Sequence, residues 1–165
     1  MKKTDLAYIA GIVDGEGTIG IHRAKRRGPG NSWTYSLRVS VSMTEAYLPE
    51  WLKMAFGGNT YGKLRDKPRW KPQTEWVILG EKATGFLGDI MPYLIIKKPQ
   101  AELAFKFLAI RAKGLRSRPF ERYQQQLYWE EMRRLNQRGK NGGDNPGNVS
   151  GLRDVANAGE PGTDD

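Results

Sequence analysis

The sequence predicts an α+β fold in which a four-stranded antiparallel sheet lies over a layer of helices, and three observations predict it. The first is order: helix, two strands, helix, two strands, then helices, with short connections throughout. The second is alternation of apolar and polar residues in four segments, the signature of strands covered on one face only. The third is an opening helix that is apolar on one side and small on the other, which suits an element packed twice.

In that helix Leu6, Ile9, Ile12 and Val13 form a core-facing stripe, while Ala7, Ala10, Gly11 and Asp14 gather opposite, with Gly15 at the margin. Small residues there let a second backbone approach closely. Gly15 and Gly17 bracket Glu16 and are expected to take positive φ where the helix stops. Thr18 to Arg27 reads as a strand with Ile19 and Ile21 inward, Gly28 to Asn31 as a turn, and Trp33 to Met43 as the returning strand with Leu37, Val39 and Val41 on one face. Thr44 is the expected N-cap of a helix through Leu48, Trp51, Leu52 and Ala55, ended by Gly57-Gly58. A second hairpin spans roughly Asn59 to Asp66 and Gln73 to Leu79, joined by a basic, proline-rich connection at 67–72. Helices follow at about 81–91 and 99–112. Pro119, at a favourable first position, opens a last helix carrying Phe120, Tyr123, Leu127, Met132 and Leu135.

The 165 residues support one folded domain, expected at 1–138, and the Gly/Asn/Asp-rich stretch 139–165 reads as a disordered tail. Net charge is +9, from 27 basic and 18 acidic residues. Two of those basic and five of the acidic residues lie beyond position 138, so the body holds 25 against 13, a net of +12. A body that basic points to a polyanion partner. With no cysteine and one histidine, His22, the chain excludes thiolate–zinc sites, thiol nucleophiles and centres needing several histidines from one copy. Hydrolysis would have to run on carboxylates and an oxygen-loving cation. No long apolar run marks a signal peptide or a membrane span, so a soluble intracellular protein with neither a membrane nor a small-molecule partner is expected.

Ile9 to Gly17, Ile-Ala-Gly-Ile-Val-Asp-Gly-Glu-Gly, resembles the nine-residue signature of the LAGLIDADG homing endonucleases, and the likeness in element order runs from about Leu6 to Ala104. The resemblance implies an αββαββα fold whose sheet forms a DNA-binding saddle. It also implies a homodimer, since one motif is present and its small face (Ala7, Ala10, Gly11, Asp14) lacks a partner. The implied activity is site-specific cutting of a long pseudo-palindromic duplex with Mg²⁺ or Mn²⁺, encoded in an intron, an intein or a free-standing element. Glu16, with the Gly15 carbonyl, would hold the metal, and Asp14 would be structural. Pro92 to Lys98 is similar to the segment that places the family's active-site lysine, which makes Lys97 the phosphate contact and Lys98 its fallback. Glu45 corresponds to a water-positioning residue, with a first-turn helix acid the equal alternative.

Base reading is expected from the polar sheet face: Thr18, His22 and Arg26, then Ser36, Arg38, Ser40 and Ser42, then Arg65, Lys67, Gln73 and Glu75. The clusters Arg23 to Arg27 and Arg69 to Lys71 suit phosphate. The rival reading is a non-cleaving nucleic-acid-binding relative, an intron maturase or a repressor, which the same fold and charge would serve.

Overall fold

The computed structural model describes residues 1–25, 33–63, 71–111 and 119–137. Arg26, Arg65 and Lys67, the 67–70 connection and the proposed tail fall outside them. The order is α1 (Lys3–Glu16), β1 (Gly17–Lys25), β2 (Trp33–Met43), α2 (Tyr47–Phe56), β3 (Asn59–Lys63), β4 (Gln73–Leu79), α3 (Gly80–Ile90), a 3-10 turn (Met91–Tyr93), α4 (Lys98–Arg111) and α5 (Pro119–Leu135).

The four strands form one antiparallel sheet in the order β1-β2-β4-β3. Period two does the sorting: Ile19, Ile21, Tyr35, Leu37, Val39, Val41, Trp76 and Ile78 are buried on one face against the helices. Below them lie Ile9 and Val13 of α1, Leu52 of α2, Phe86, Leu87 and Ile90 of α3, Ala104 and Phe107 of α4, and Met132 of α5. Each fully buried large side chain contributes about 1.5–3 kcal/mol. Trp76 anchors the centre. Its ring meets Phe86 edge-on at 5.0 Å, and its Nε1–H donates to the Gly57 carbonyl at 2.8 Å.

Three local expectations change. Gly17 does not adopt positive φ but is extended (φ −88°), because α1 runs straight into β1. Glycine is needed there for space: a Cβ would sit 2.7 Å from Val13 backbone atoms. Thr44 does not cap α2; the helix starts at Tyr47, whose N–H donates to Glu45 Oε1 at 3.2 Å. On α5 the inward side is Met132 with the half-buried Tyr128 and Trp129, leaving Phe120, Tyr123 and Leu127 exposed. Among the described residues no helix is long and apolar enough to cross a membrane.

Candidate active site and nucleic-acid face

The C-terminal end of α1 meets the N-terminal end of α4 through a reciprocal clamp. The Asp14 carboxylate accepts the backbone N–H groups of Ile95 (2.8 Å), Ile96 (3.2 Å) and Lys97 (2.8 Å), the residues just before α4. In return the Lys97 ammonium donates to the Val13 carbonyl at 2.9 Å and to the Asp14 carbonyl. A helix C-terminus exposes unpaired carbonyls and partial negative charge, so a buried ammonium there is well placed. Asp14 and Lys97 are 7 % and 6 % exposed, buried charges satisfied by directed bonds.

Beside the clamp opens a cleft of about 500 Å³ lined by Gly15, Glu16, Gly17, Thr18, Ile96, Lys97, Gln100, Leu135 and Asn136. Glu16 is exposed at the last turn of α1 and, among the described residues, is the one carboxylate lining it; Lys97 is the one lysine or arginine among them. Lys98 is exposed at the first position of α4 and does not line the cleft. The structure therefore brings Glu16, Gly15 and Lys97 together, across about 80 residues of sequence. Glu45 is not with them. It lies in a separate groove with Asp5, Tyr8 and Tyr47, where it accepts the Tyr47 N–H as a first-turn helix acid does.

Two members of the expected interface also move. Ala10 is fully buried and Asp14 is turned into the clamp, because α3 and the 3-10 turn cover that flank of α1. The outer face of α1 is instead Thr4, Ala7, Tyr8, Gly11 and Gly15. Within the chain, a Cβ on Gly11 or Gly15 would meet nothing within 4 Å. Ile95 and Ile96, 83 % and 70 % exposed, flank the end of this face.

On the sheet's other face the register aligns Thr18 with Ser40, His22 with Ser36, and Ser42 with Glu75. Thr18 and His22 are exposed; Ser36, Arg38, Ser42, Gln73 and Glu75 are half-buried. Ser40 is 7 % exposed, set between Thr18 and Val77, and so offers far less surface than Thr18 or His22. Arg38 Nη2 bonds Glu75 Oε1 at 2.9 Å, which orients the guanidinium across the face. Sequence reasoning missed Asn59, Tyr61 and Lys63 of β3, which the register places beside Val77, Glu75 and Gln73. Their two-residue spacing was the available signal.

No protein-family model and no curated protein sequence matches the chain. Solved structures do. The homing endonuclease I-CvuI in complex with its target aligns with TM-score 0.70 at 20 % identity, covering 84 % of this chain and 85 % of that one. The archaeal intron-encoded homing endonuclease I-Vdi141I, complexed with DNA, gives 0.68 at 16 %, covering 87 % and 91 %. The I-SmaMI LAGLIDADG homing endonuclease bound to cleaved DNA gives 0.65 at 15 %, covering 81 % of this chain but only 45 % of that one. The fold is that of the LAGLIDADG homing endonucleases.

Within the LAGLIDADG fold, two cleft residues had no sequence signal. Asn136 Nδ2 donates to the Ile19 carbonyl at 2.9 Å, 117 positions away, and pins the end of α5 to β1. Gln100 Nε2 reaches the Leu135 carbonyl at 3.4 Å, while its Oε1 has no partner among the described residues. Among those residues no three acidic, histidine or cysteine side chains cluster as a ready metal site. One chain offers hard oxygen donors that suit Mg²⁺, the Glu16 carboxylate and the Gly15 carbonyl, but only part of a coordination shell.

Proposed function

We propose that the protein is a homodimeric, divalent-metal-dependent DNA endonuclease that cuts a long, pseudo-palindromic duplex site. The observation that carries the reading is the cleft: Glu16 stands exposed at the end of α1, beside the Lys97 clamp, where α1 passes into the polar-faced strand β1.

The outer face of α1 supports the dimer. Ala7, Gly11 and Gly15 leave room for a second backbone, and the exposed Ile95 and Ile96 beside them are apolar surface in need of cover. The 45 % coverage of I-SmaMI fits a chain that supplies half of a two-lobed unit. Two copies would bring two Glu16 carboxylates together and so complete the donor set that one chain lacks. A cation held there by Glu16 and the Gly15 carbonyl would supply water activation and balance charge on the phosphorane. Mg²⁺ is the natural occupant, with Mn²⁺ as substitute. Lys97, bonded to the Val13 and Asp14 carbonyls, offsets the negative C-terminal end of α1 where a phosphate must approach, and so favours phosphate entry. The sheet residues Thr18, His22, Ser36, Arg38, Ser42, Gln73 and Glu75, with Tyr61 and Lys63, would read base edges in the major groove.

A second reading, a non-cleaving DNA- or RNA-binding protein, is favoured by one fact: among the described residues Glu16 is the single carboxylate of its cleft. A cleavage assay decides between them. With DNA spanning the gene's own insertion site and Mg²⁺, the wild type is expected to cut both strands, and Glu16→Gln to lose the activity by orders of magnitude while still binding in Ca²⁺. Binding without any cutting by the wild type would leave the second reading.

A further inference from the structure

At the far end of β1 the helix-side face carries a cluster of cations packed over aromatic rings. The Arg23 guanidinium lies 4.3 Å from the Trp33 ring centroid and 3.9 Å from that of Trp129, so it is sandwiched between β2 and α5. Arg133 also lies over the Trp129 ring, at 4.9 Å, and Lys25 over the Trp33 ring, at 5.7 Å. The register explains the first half: Lys25 pairs with Trp33, and Arg23 with Tyr35, on the face where the apolar core gives out. Helix spacing explains the second, since Trp129 and Arg133 are one turn apart.

Three positive charges within one cluster repel each other, and none pairs with a carboxylate among the described residues. The two acids of α5 nearest Trp129 in sequence are engaged elsewhere: Glu131 is paired with Arg134 at 2.6 Å and Glu130 accepts from Gln126. Stacking occupies the faces of a guanidinium and leaves its in-plane N–H donors at the edge, the geometry that suits a phosphate oxygen. The strip runs along β1, the outermost strand, where α5 is pinned by Asn136. It lies around the rim from the polar face of the sheet.

We propose that Arg23 and Arg133, held by Trp33 and Trp129 and supported by Lys25, form a rim site for the phosphodiester backbone of duplex DNA. The proposal rests on the DNA-binding reading above and deepens it. The rim adds sequence-independent affinity, while the polar face supplies base preference.

The test is a salt titration of the full-length protein on a fluorescently labelled target duplex in Ca²⁺, comparing wild type with Arg23→Gln/Arg133→Gln. The double variant is expected to flatten the plot of log Kd against log[salt] by about 0.9 per lost phosphate contact, about 1.8 per chain. For the proposed dimer, which loses four contacts and so about 3.6 in slope, the loss of affinity between 50 and 200 mM salt should then be roughly 150-fold smaller than that of the wild type. Base preference and the cleavage rate of bound DNA should be unchanged. Arg133→Gln alone, on an exposed side chain, guards against misfolding of the double variant, and Arg133→Lys should restore the slope. An unchanged slope in both Gln variants would overturn the proposal and leave the cluster a structural splint. Loss of RNA-duplex binding only, with DNA binding intact, would also overturn it. A wild type that binds no duplex DNA would overturn the underlying reading instead.

Discussion

Replacing Asp14 by Asn tests whether the clamp between α1 and α4 holds the molecule together. The change is nearly isosteric, but it puts an amide NH₂ where one carboxylate oxygen now accepts backbone N–H groups at 2.8 and 3.2 Å, or where the other accepts one at 2.8 Å. Hydrogen bonds to an ionised acceptor contribute about 1.5–3 kcal/mol, and a buried donor left without a partner costs about 1–3 kcal/mol. The Lys97 N–H is buried, whereas those of Ile95 and Ile96 are only partly so and can recruit water. A net loss of about 2–3 kcal/mol is expected for Asp14→Asn, and about 3–5 kcal/mol for Asp14→Ala, at the upper end of single substitutions. Asp14 is 7 % exposed, so solvent screening does not reduce these figures. At about 2–4 °C per kcal/mol, Asn should lower Tm by roughly 5–10 °C. Urea unfolding at one fixed protein concentration is the assay, because a dimer's apparent stability varies with concentration. A Asp14→Asn protein within about 0.5 kcal/mol of wild type would refute the view that these three bonds secure the site.

Gly11→Leu places a large side chain where this chain offers only open space. The fold should survive while dimerisation and cleavage are lost; an unchanged sedimentation coefficient with intact cutting would remove α1 from the interface. Lys97→Met removes the ammonium from two α1 carbonyls, so it should lower the single-turnover rate about 100-fold or more and also reduce stability. A normal rate at reduced stability would make Lys97 purely structural. Glu131 is held below the usual carboxylate range by its hydrogen bond to Arg134. A depressed carboxyl contributes stability above its unfolded value and loses it as pH falls through the folded one. The small gap in Tm between wild type and Glu131→Gln should therefore close below about pH 4.5, and a gap that widened there would reverse the assignment.

The sheet was legible because alternation is a local signal with a global meaning: one face of every strand had to be buried, and Ile19, Leu37, Val39 and Trp76 are. Helix α1 was legible in period but not in rotation. Its wheel shows which residues are small, not how many neighbours it has, and α3 with the 3-10 turn covers Ala10 and Asp14 as well as the apolar stripe. Burial of Asp14 was unreadable for the same reason, since the N–H groups that satisfy it belong to residues 81 to 83 positions away. Glu45 stands apart from Glu16 within the chain because the turn after β2 carries its side chain to the start of α2, where it bonds Tyr47, a contact that strand alternation does not show.

The clamp also orders the two candidate lysines. A backbone N–H and a side-chain ammonium of the same residue grip the same turn of α1 from opposite directions, so residue 97 cannot slide without breaking both. Lys98 begins α4 with its side chain exposed and outside the cleft, and the first turn of that helix already points its N–H groups back toward Asp14's end of the site. A register error of one residue would therefore exchange a buried, bonded cation for a solvated one. Lys98→Met should leave both stability and cleavage near wild type, and a loss of rate there as large as for Lys97→Met would mean that the segment before α4 rearranges when DNA binds.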